Sequence, residues 1–220
     1  VAKILNKMGV SWTYSSEGFE ASNIGYINGD LELQEQLTRK LIDNAVKLGA
    51  HTLILPECGH AYGAARWEAA RWYKDKLPLR IIHMTEFLAE AVESGKIKLK
   101  KIDNTVSFHD PCQLVRRGGV TEAPRAVLKA MGIEIKELED HGVLGLCCGG
   151  GGGVVSNVRA DPIRYKAFEL KRRQVEEAGA ERFVTGCGQC RITLTLGAKH
   201  FKWDKKVESL LELVADNLVD

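Results

Sequence analysis

Apolar and polar positions along this chain follow two periods that take turns. Leu31, Leu37, Leu41, Ile42, Ala45 and Leu48 recur near 3.6 residues and predict a helix over Leu31–Leu48. His51–Leu55 is a short apolar and β-branched run ending at Pro56, which predicts a buried strand. Arg66–Lys76 predicts a helix with Pro78 beyond it, Arg80–His83 a strand, and Thr85 the N-cap of a helix over Glu86–Glu93. Further strands are predicted at Thr105–Phe108, Ile133–Leu138 and Arg182–Thr185. Further helices are predicted at Ala123–Met131, Asp161–Ala178, Cys190–Ala198 and Val207–Leu218, with Asp161-Pro162 a helix-start signal. In Lys96–Lys101 lysines alternate with Ile97 and Leu99, as on a strand with one solvated face. Strands separated by helices of these lengths imply parallel βαβ units and an α/β fold.

A faint repeat runs through the pattern. "KILNKMGVSW" (Lys3–Trp12) aligns with "AVLKAMGIEI" (Ala126–Ile135), each a helix, a Met-Gly stop and a strand. "GAHTLILPECGHA" (Gly49–Ala61) aligns with "GAERFVTGCGQC" (Gly179–Cys190). The matching order predicts two pseudo-repeated α/β units, a degenerate one over residues 1–100 and a complete one over residues 101–220. By that alignment the partner of Cys112 falls upstream of Val1, so the chain is expected to be part of something longer.

Composition narrows the class. The 220 residues are 45% hydrophobic and 27% charged, ordinary globular values that exclude disorder. A net charge of +2 argues against a nucleic-acid partner, which favours a strong basic excess. No apolar run approaches the ~20 residues of a membrane span. Val1–Val10 reads as an amphipathic helix without signal-peptide layout. A chain this long and rich in core residues needs no disulfide staples, so its six cysteines suggest a reduced, cytoplasmic compartment.

Cysteine placement carries the chemistry. Cys112 is followed by 34 residues, Cys147-Cys148, 38 residues, then Cys187 and Cys190. Each falls where a predicted strand ends or a helix begins. In an open parallel sheet those turns gather at the carboxyl ends of the strands, so five thiols are expected to converge there between the two units. Helix N-termini aimed at them favour the thiolate, the form that binds metal. Zinc usually takes four ligands, and so does a ferredoxin cubane. Five thiols favour an unusual iron–sulfur cluster, with zinc, and a metal-free thiol–disulfide enzyme using Cys187 and Cys190, as alternatives.

"HDPCQLVRRGG" (His109–Gly119), "GLCCGGGGG" (Gly145–Gly153) and "TGCGQCRITL" (Thr185–Leu194) resemble the cysteine-rich CCG domain of heterodisulfide reductases and related iron–sulfur oxidoreductases. Their D-type subunits are the nearest in pattern, together with the K subunit of the sulfite-reductase-associated membrane complex. The resemblance implies a non-cubane 4Fe-4S cluster with Cys112, Cys147, Cys148, Cys187 and Cys190 as ligands, reducing a disulfide or trisulfide by one-electron steps. It implies a ferredoxin-type domain or subunit as electron donor, a quinone-linked membrane subunit as a further partner, and a small protein among the candidate substrates. A glycolate- or lactate-oxidase-type electron relay and a zinc-binding assembly module are same-fold alternatives.

Residues near the cysteines are read individually. Cys58 in the degenerate unit is a candidate pocket residue or extra ligand, and His60 and His109 are candidate proton donors. Gly149, Gly150 and Gly151 are expected to bring backbone close to the cluster and donate N–H bonds to its sulfurs. No Gly-Lys-Ser/Thr follows them, which argues against a phosphate loop. Arg116-Arg117 and Lys171-Arg172-Arg173 read as solvated surface, and Trp12, Trp67, Trp72 and Trp203 as core or interface anchors.

Overall fold

The computed structural model describes residues 1–74 and 76–219. The first half runs α1 (Ala2–Lys7), α2 (Ile24–Asn28), α3 (Leu31–Lys47), β1 (Thr52–Leu55), α4 (Gly59–Gly63), β2 (Arg80–His83) and α5 (Met84–Glu93). The second runs β3 (Thr105–His109), α6 (Glu122–Ala130), β4 (Glu134–Ile135), α7 (Asp161–Ala178), β5 (Arg182–Thr185), α8 (Gly188–His200), β6 (Val207–Ser209) and α9 (Leu210–Asp216). β1 and β2 form one parallel pair, and the other sheet is parallel in the order β4-β3-β5-β6. The α/β alternation read from the sequence is therefore the observed architecture. Element order recurs as well: α1, α3, β1, α4, β2, α5 in the first half and α6, α7, β5, α8, β6, α9 in the second.

Local signals explain most element ends. Asp30 caps α3 by accepting from the Leu33 amide at 2.9 Å, and Gly179 ends α7 in the left-handed conformation. Three apolar clusters hold the layers together. Val106, Phe108 and Val184 of β3 and β5 pack with α1, α5, α6 and α9. Leu41 and Ile42 of α3 pack with β1, α4 and Leu114. Phe168 of α7 packs with Phe183 of β5 and Leu194 of α8. Among the described residues no helix is long and apolar enough to cross a membrane.

Several local expectations differ from the fold. Arg66–Lys76 is not one helix but a π-turn over Ala64–Glu68 and a 3-10 turn over Ala69–Trp72, with Asp75 outside the described residues. Tertiary bonds accompany the wider turn: the Trp67 indole N–H reaches the Gly118 carbonyl at 3.1 Å, and Glu68 pairs with Arg117. Thr85 is not the cap of α5. Strand β2 runs straight into that helix, and His83 Nδ1 takes the Thr85 amide at 3.2 Å. Val207–Leu218 divides because Val207–Ser209 pairs with β5, leaving Ser209 to cap α9. Ile133–Leu138 is strand only at Glu134–Ile135. Val10–Trp12 forms no strand, and Lys96–Lys101 only the isolated bridge Leu99–Leu218, although Ile97 is buried and Lys96, Lys98 and Lys100 are exposed. Trp12 and Trp67 are 43% and 51% exposed, so those two are not core residues.

Candidate metal centre

The turns after β3 and β5 and the segment leading from β4 to α7 bring five cysteines together. All are free thiols. Cys112 Sγ lies 3.8 Å from Cys147 Sγ, Cys147 contacts Cys148, Cys148 contacts Cys190, and Cys190 contacts Cys187. Cys148, Cys187 and Cys190 are buried, Cys112 is half-buried, and Cys147 is exposed. The set thus runs from the interior to the surface.

Its framework is polar and rigid. Arg125 on α6 donates to both Asp110 oxygens at 2.9 Å and to both Glu137 oxygens at 2.7 and 2.9 Å. Asp110 also accepts from the Gly142 amide at 2.7 Å, tying the chain just before Cys112 to the loop that delivers Cys147. Arg116, on the π-turn Gln113–Arg117 that follows Cys112, donates to the Val143 and Gly145 carbonyls at 2.8 Å each. Neither arrangement is legible from spacing, since the partners lie 12 to 32 residues apart.

The thiols share protons along their chain. Hydrogen bonds from Cys112 and then Cys148 hold Cys147 well below the ordinary thiol range. Cys190 holds Cys187 down to about 7, helped by backbone N–H groups of Gln189 and Gly59. Their partners move the other way: Cys147 pushes Cys112 up and Cys148 up to about 12, and Cys148 and Cys187 push Cys190 up. Glycine amides face the sulfurs as the sequence suggests. Gly149 N donates to Cys147 Sγ at 3.3 Å, and Gly150 N faces Cys148. Gly150 has a second reason to be glycine, because a Cβ there would strike the Thr193 hydroxyl of α8. Gly151 runs beside the imidazole of His60, where a Cβ would sit 3.3 Å from Cε1.

The first half closes the site. Cys58 caps α4, accepting from the Ala61 amide, and lies within electrostatic reach of Cys187; burial raises its pKa. The Glu57 carbonyl accepts from the Gly188 amide at 2.8 Å, which holds Glu57 at a φ of 32° in the left-handed region. His60 is half-buried near Cys147, and burial, then Arg117, lowers its pKa. His109 differs: it is fully buried, neither ring nitrogen has a partner, and burial lowers its pKa to about 3. Its ring and the sulfurs of Cys148 and Cys190 lie within 4.8 Å of one another.

Lys171 departs from its expected place. It is 1% exposed, not solvated, and its charge lies within reach of Cys148 and Cys190. The signal is present in the sequence, since Arg164, Phe168, Lys171 and Val175 share one helical stripe and Phe168 and Val175 are core residues. Two open grooves elsewhere, beside Trp203 and beside Tyr165, include none of the cysteines in their linings.

Five thiols linked in a chain of contacts, backbone N–H groups aimed at sulfur and an orphaned imidazole form a donor set suited to a soft, sulfur-seeking metal centre. Residues 106–195 match the CCG Cysteine-rich domain family. The protein carries a CCG cysteine-rich domain. Beyond that match the chain is similar to oxidoreductases over most of its length. It is 31% identical to the D-type subunit of the dihydromethanophenazine:CoB–CoM heterodisulfide reductase of Methanosarcina barkeri, covering 99% of this chain and 54% of that one. It is 31% identical to the EtfAB:quinone oxidoreductase of Syntrophomonas wolfei over 90% of this chain and 28% of that one. It is 29% identical to the probable iron-sulfur-binding oxidoreductase FadF of Bacillus subtilis over 99% of this chain and 31% of that one. The chain therefore spans about half the length of the heterodisulfide reductase protein, and less of the others.

Proposed function

We propose that the CCG domain holds a non-cubane 4Fe-4S cluster through Cys112, Cys147, Cys148, Cys187 and Cys190, as part of a heterodisulfide-reductase-like oxidoreductase. The substrate is a disulfide or trisulfide, a small-protein one included. When bound, the cluster supplies one-electron reduction of a sulfur–sulfur bond. The balance for a disulfide is two electrons and two protons in, two thiols out, with the electrons arriving from a ferredoxin-type domain or subunit linked to a quinone partner. The whole assembly is cytoplasmic or held at a membrane by its partners.

The observation that carries this reading is the contact of five free thiols drawn from three separate stretches of chain. Cys147 is exposed, so substrate sulfur has access to that end of the set. His60, half-buried near Cys147, is the proton carrier best connected to solvent, whereas His109 is sealed inside. Cys58 lies within electrostatic reach of Cys187, towards the buried end of the set. The compact group of His109, Cys148 and Cys190 favours a second reading, a zinc-binding assembly module.

Anaerobic reconstitution followed by iron and zinc counts, with EPR of the oxidised protein plus thiol, separates the two. About four iron atoms per chain and a thiol-sensitive signal support the cluster. Each of the five cysteines changed to serine is expected to lose most of that iron, with Cys58→Ser retaining it. Stoichiometric zinc and no iron would overturn the proposal.

A further inference from the structure

Behind the thiols lies a polar layer that sulfur-bond reduction leaves without a task. Lys171 sits in the middle of α7, turned inward with Phe168 and Val175. Its hydrogen bond among the described residues goes to Gln174 Oε1 at 3.4 Å, the long end of the range. Gln174 in turn donates to Asp140 at 2.6 Å. No described carboxylate lies at ion-pair distance from Lys171, and Asp110 gives both oxygens to Arg125. His109 adds a buried imidazole with both nitrogens unpartnered, facing the same two sulfurs, Cys148 and Cys190. An ammonium buried without a carboxylate is costly, and such groups are retained where opposing charge arrives. Asp110, Asp140, Cys148 and Cys190 are the negative or potentially negative groups acting on it. Only the two cysteines gain charge when a metal centre is loaded.

We infer that Lys171 and His109 form a counter-charge and N–H donor layer that sets the reduction potential of the bound centre. This rests on the iron–sulfur reading above. Thiolate ligands make such a centre anionic, and each electron delivered by the ferredoxin-type donor adds one negative charge. A fixed cation and an N–H group in a low-dielectric wall stabilise the reduced form more than the oxidised form. The layer therefore raises the potential and eases delivery of the electron. Lys171 acts as the point charge; His109, with neither ring nitrogen partnered in the protein and its ring beside Cys148 and Cys190, offers one N–H.

The test compares the full chain with its Lys171→Met and His109→Phe variants. Each is loaded anaerobically, iron is counted, and the midpoint potential is titrated by EPR. Lys171→Met is expected to retain its iron and shift to a clearly more negative potential; His109→Phe should shift the same way by less. Without metal, Lys171→Met is expected to melt above the parent, because it removes an unpaired buried charge. A lysine that serves only packing would give the reverse: a lower apo melting temperature and an unmoved potential. Equal potentials at equal iron content overturn the inference while leaving the cluster standing. A parent chain that takes up no iron fails the functional reading itself. If Lys171→Met loads poorly, Lys171→Gln is measured; folded apo chains of both that refuse iron would assign Lys171 to holding the centre and overturn the tuning role.

Discussion

His83 shows how one buried side chain couples stability to pH. It is fully buried at the end of β2, edge-on to Tyr62, and burial lowers its pKa to about 4. The unfolded chain takes up a proton near the ordinary value of about 6.5, whereas the folded chain refuses it down to about 4. Stability is therefore complete above the unfolded value and falls as pH drops between the two. The loss attributable to His83 is on the order of 3 kcal/mol. His83→Asn keeps a side-chain acceptor at the N-cap and removes the titration. Urea melts between those pH values should show a flatter acid limb in the variant; an unchanged limb would assign the effect to other groups. Arg125 makes a different residue-scale case. Its loss would leave Asp110 buried without its partner, and Arg125→Met is expected to cost about 3–5 kcal/mol by denaturant unfolding.

At the scale of elements, the two halves interlock through α4 and the π-turn after Cys112. A Cβ at Gly59 would fall on the Leu114 amide nitrogen, backbone with nowhere to go. Gly59→Ala is expected to destabilise the fold by about 1–3 kcal/mol and to weaken metal loading, since the Gly59 amide also faces Cys187. Gly63, in the same helix, has 4.0 Å of clearance to Arg117. Gly63→Ala should be neutral or stabilising by up to about 1 kcal/mol, and thermal melts of the pair check both. The same interface explains why Arg66–Lys76 is not the helix its spacing predicts. Its apolar positions suit a helix, but the Trp67 and Glu68 contacts to the 113–118 segment accompany a wide turn that no local pattern encodes. Val207–Leu218 departs from its helical periodicity because pairing with β5 outweighs it at the first three residues.

For the molecule as a whole, the candidate ligands come from three stretches: the framework of Asp110, Arg125 and Arg116 ties the first two together, and the pairing of β3 with β5 brings in the third. A group that binds only the folded arrangement stabilises it by linkage. Loaded protein is expected to melt above the apo chain, and removing the metal with a chelator should return the apo melting temperature. A loaded chain that melts with the apo chain would show that the thiols do not bind as one set.

Much of this is legible in the chain. Alternating periods determine the α/β class, because each element must bury one face. Cys112, Cys187 and Cys190 lie at turns that follow strands, which brings them to one end of a parallel sheet, whereas Cys147 and Cys148 reach that end on the long segment between β4 and α7. Only the tertiary structure decided the environment of those thiols. Lys171 reads as solvated surface unless its stripe with Phe168 and Val175 is noticed, His109 reads as a candidate proton donor rather than a sealed imidazole, and Asp110–Arg125–Glu137 joins groups too distant for any local pattern. Burial and pairing depend on what other segments bring to the same place, and that information exists only once the chain has closed on itself.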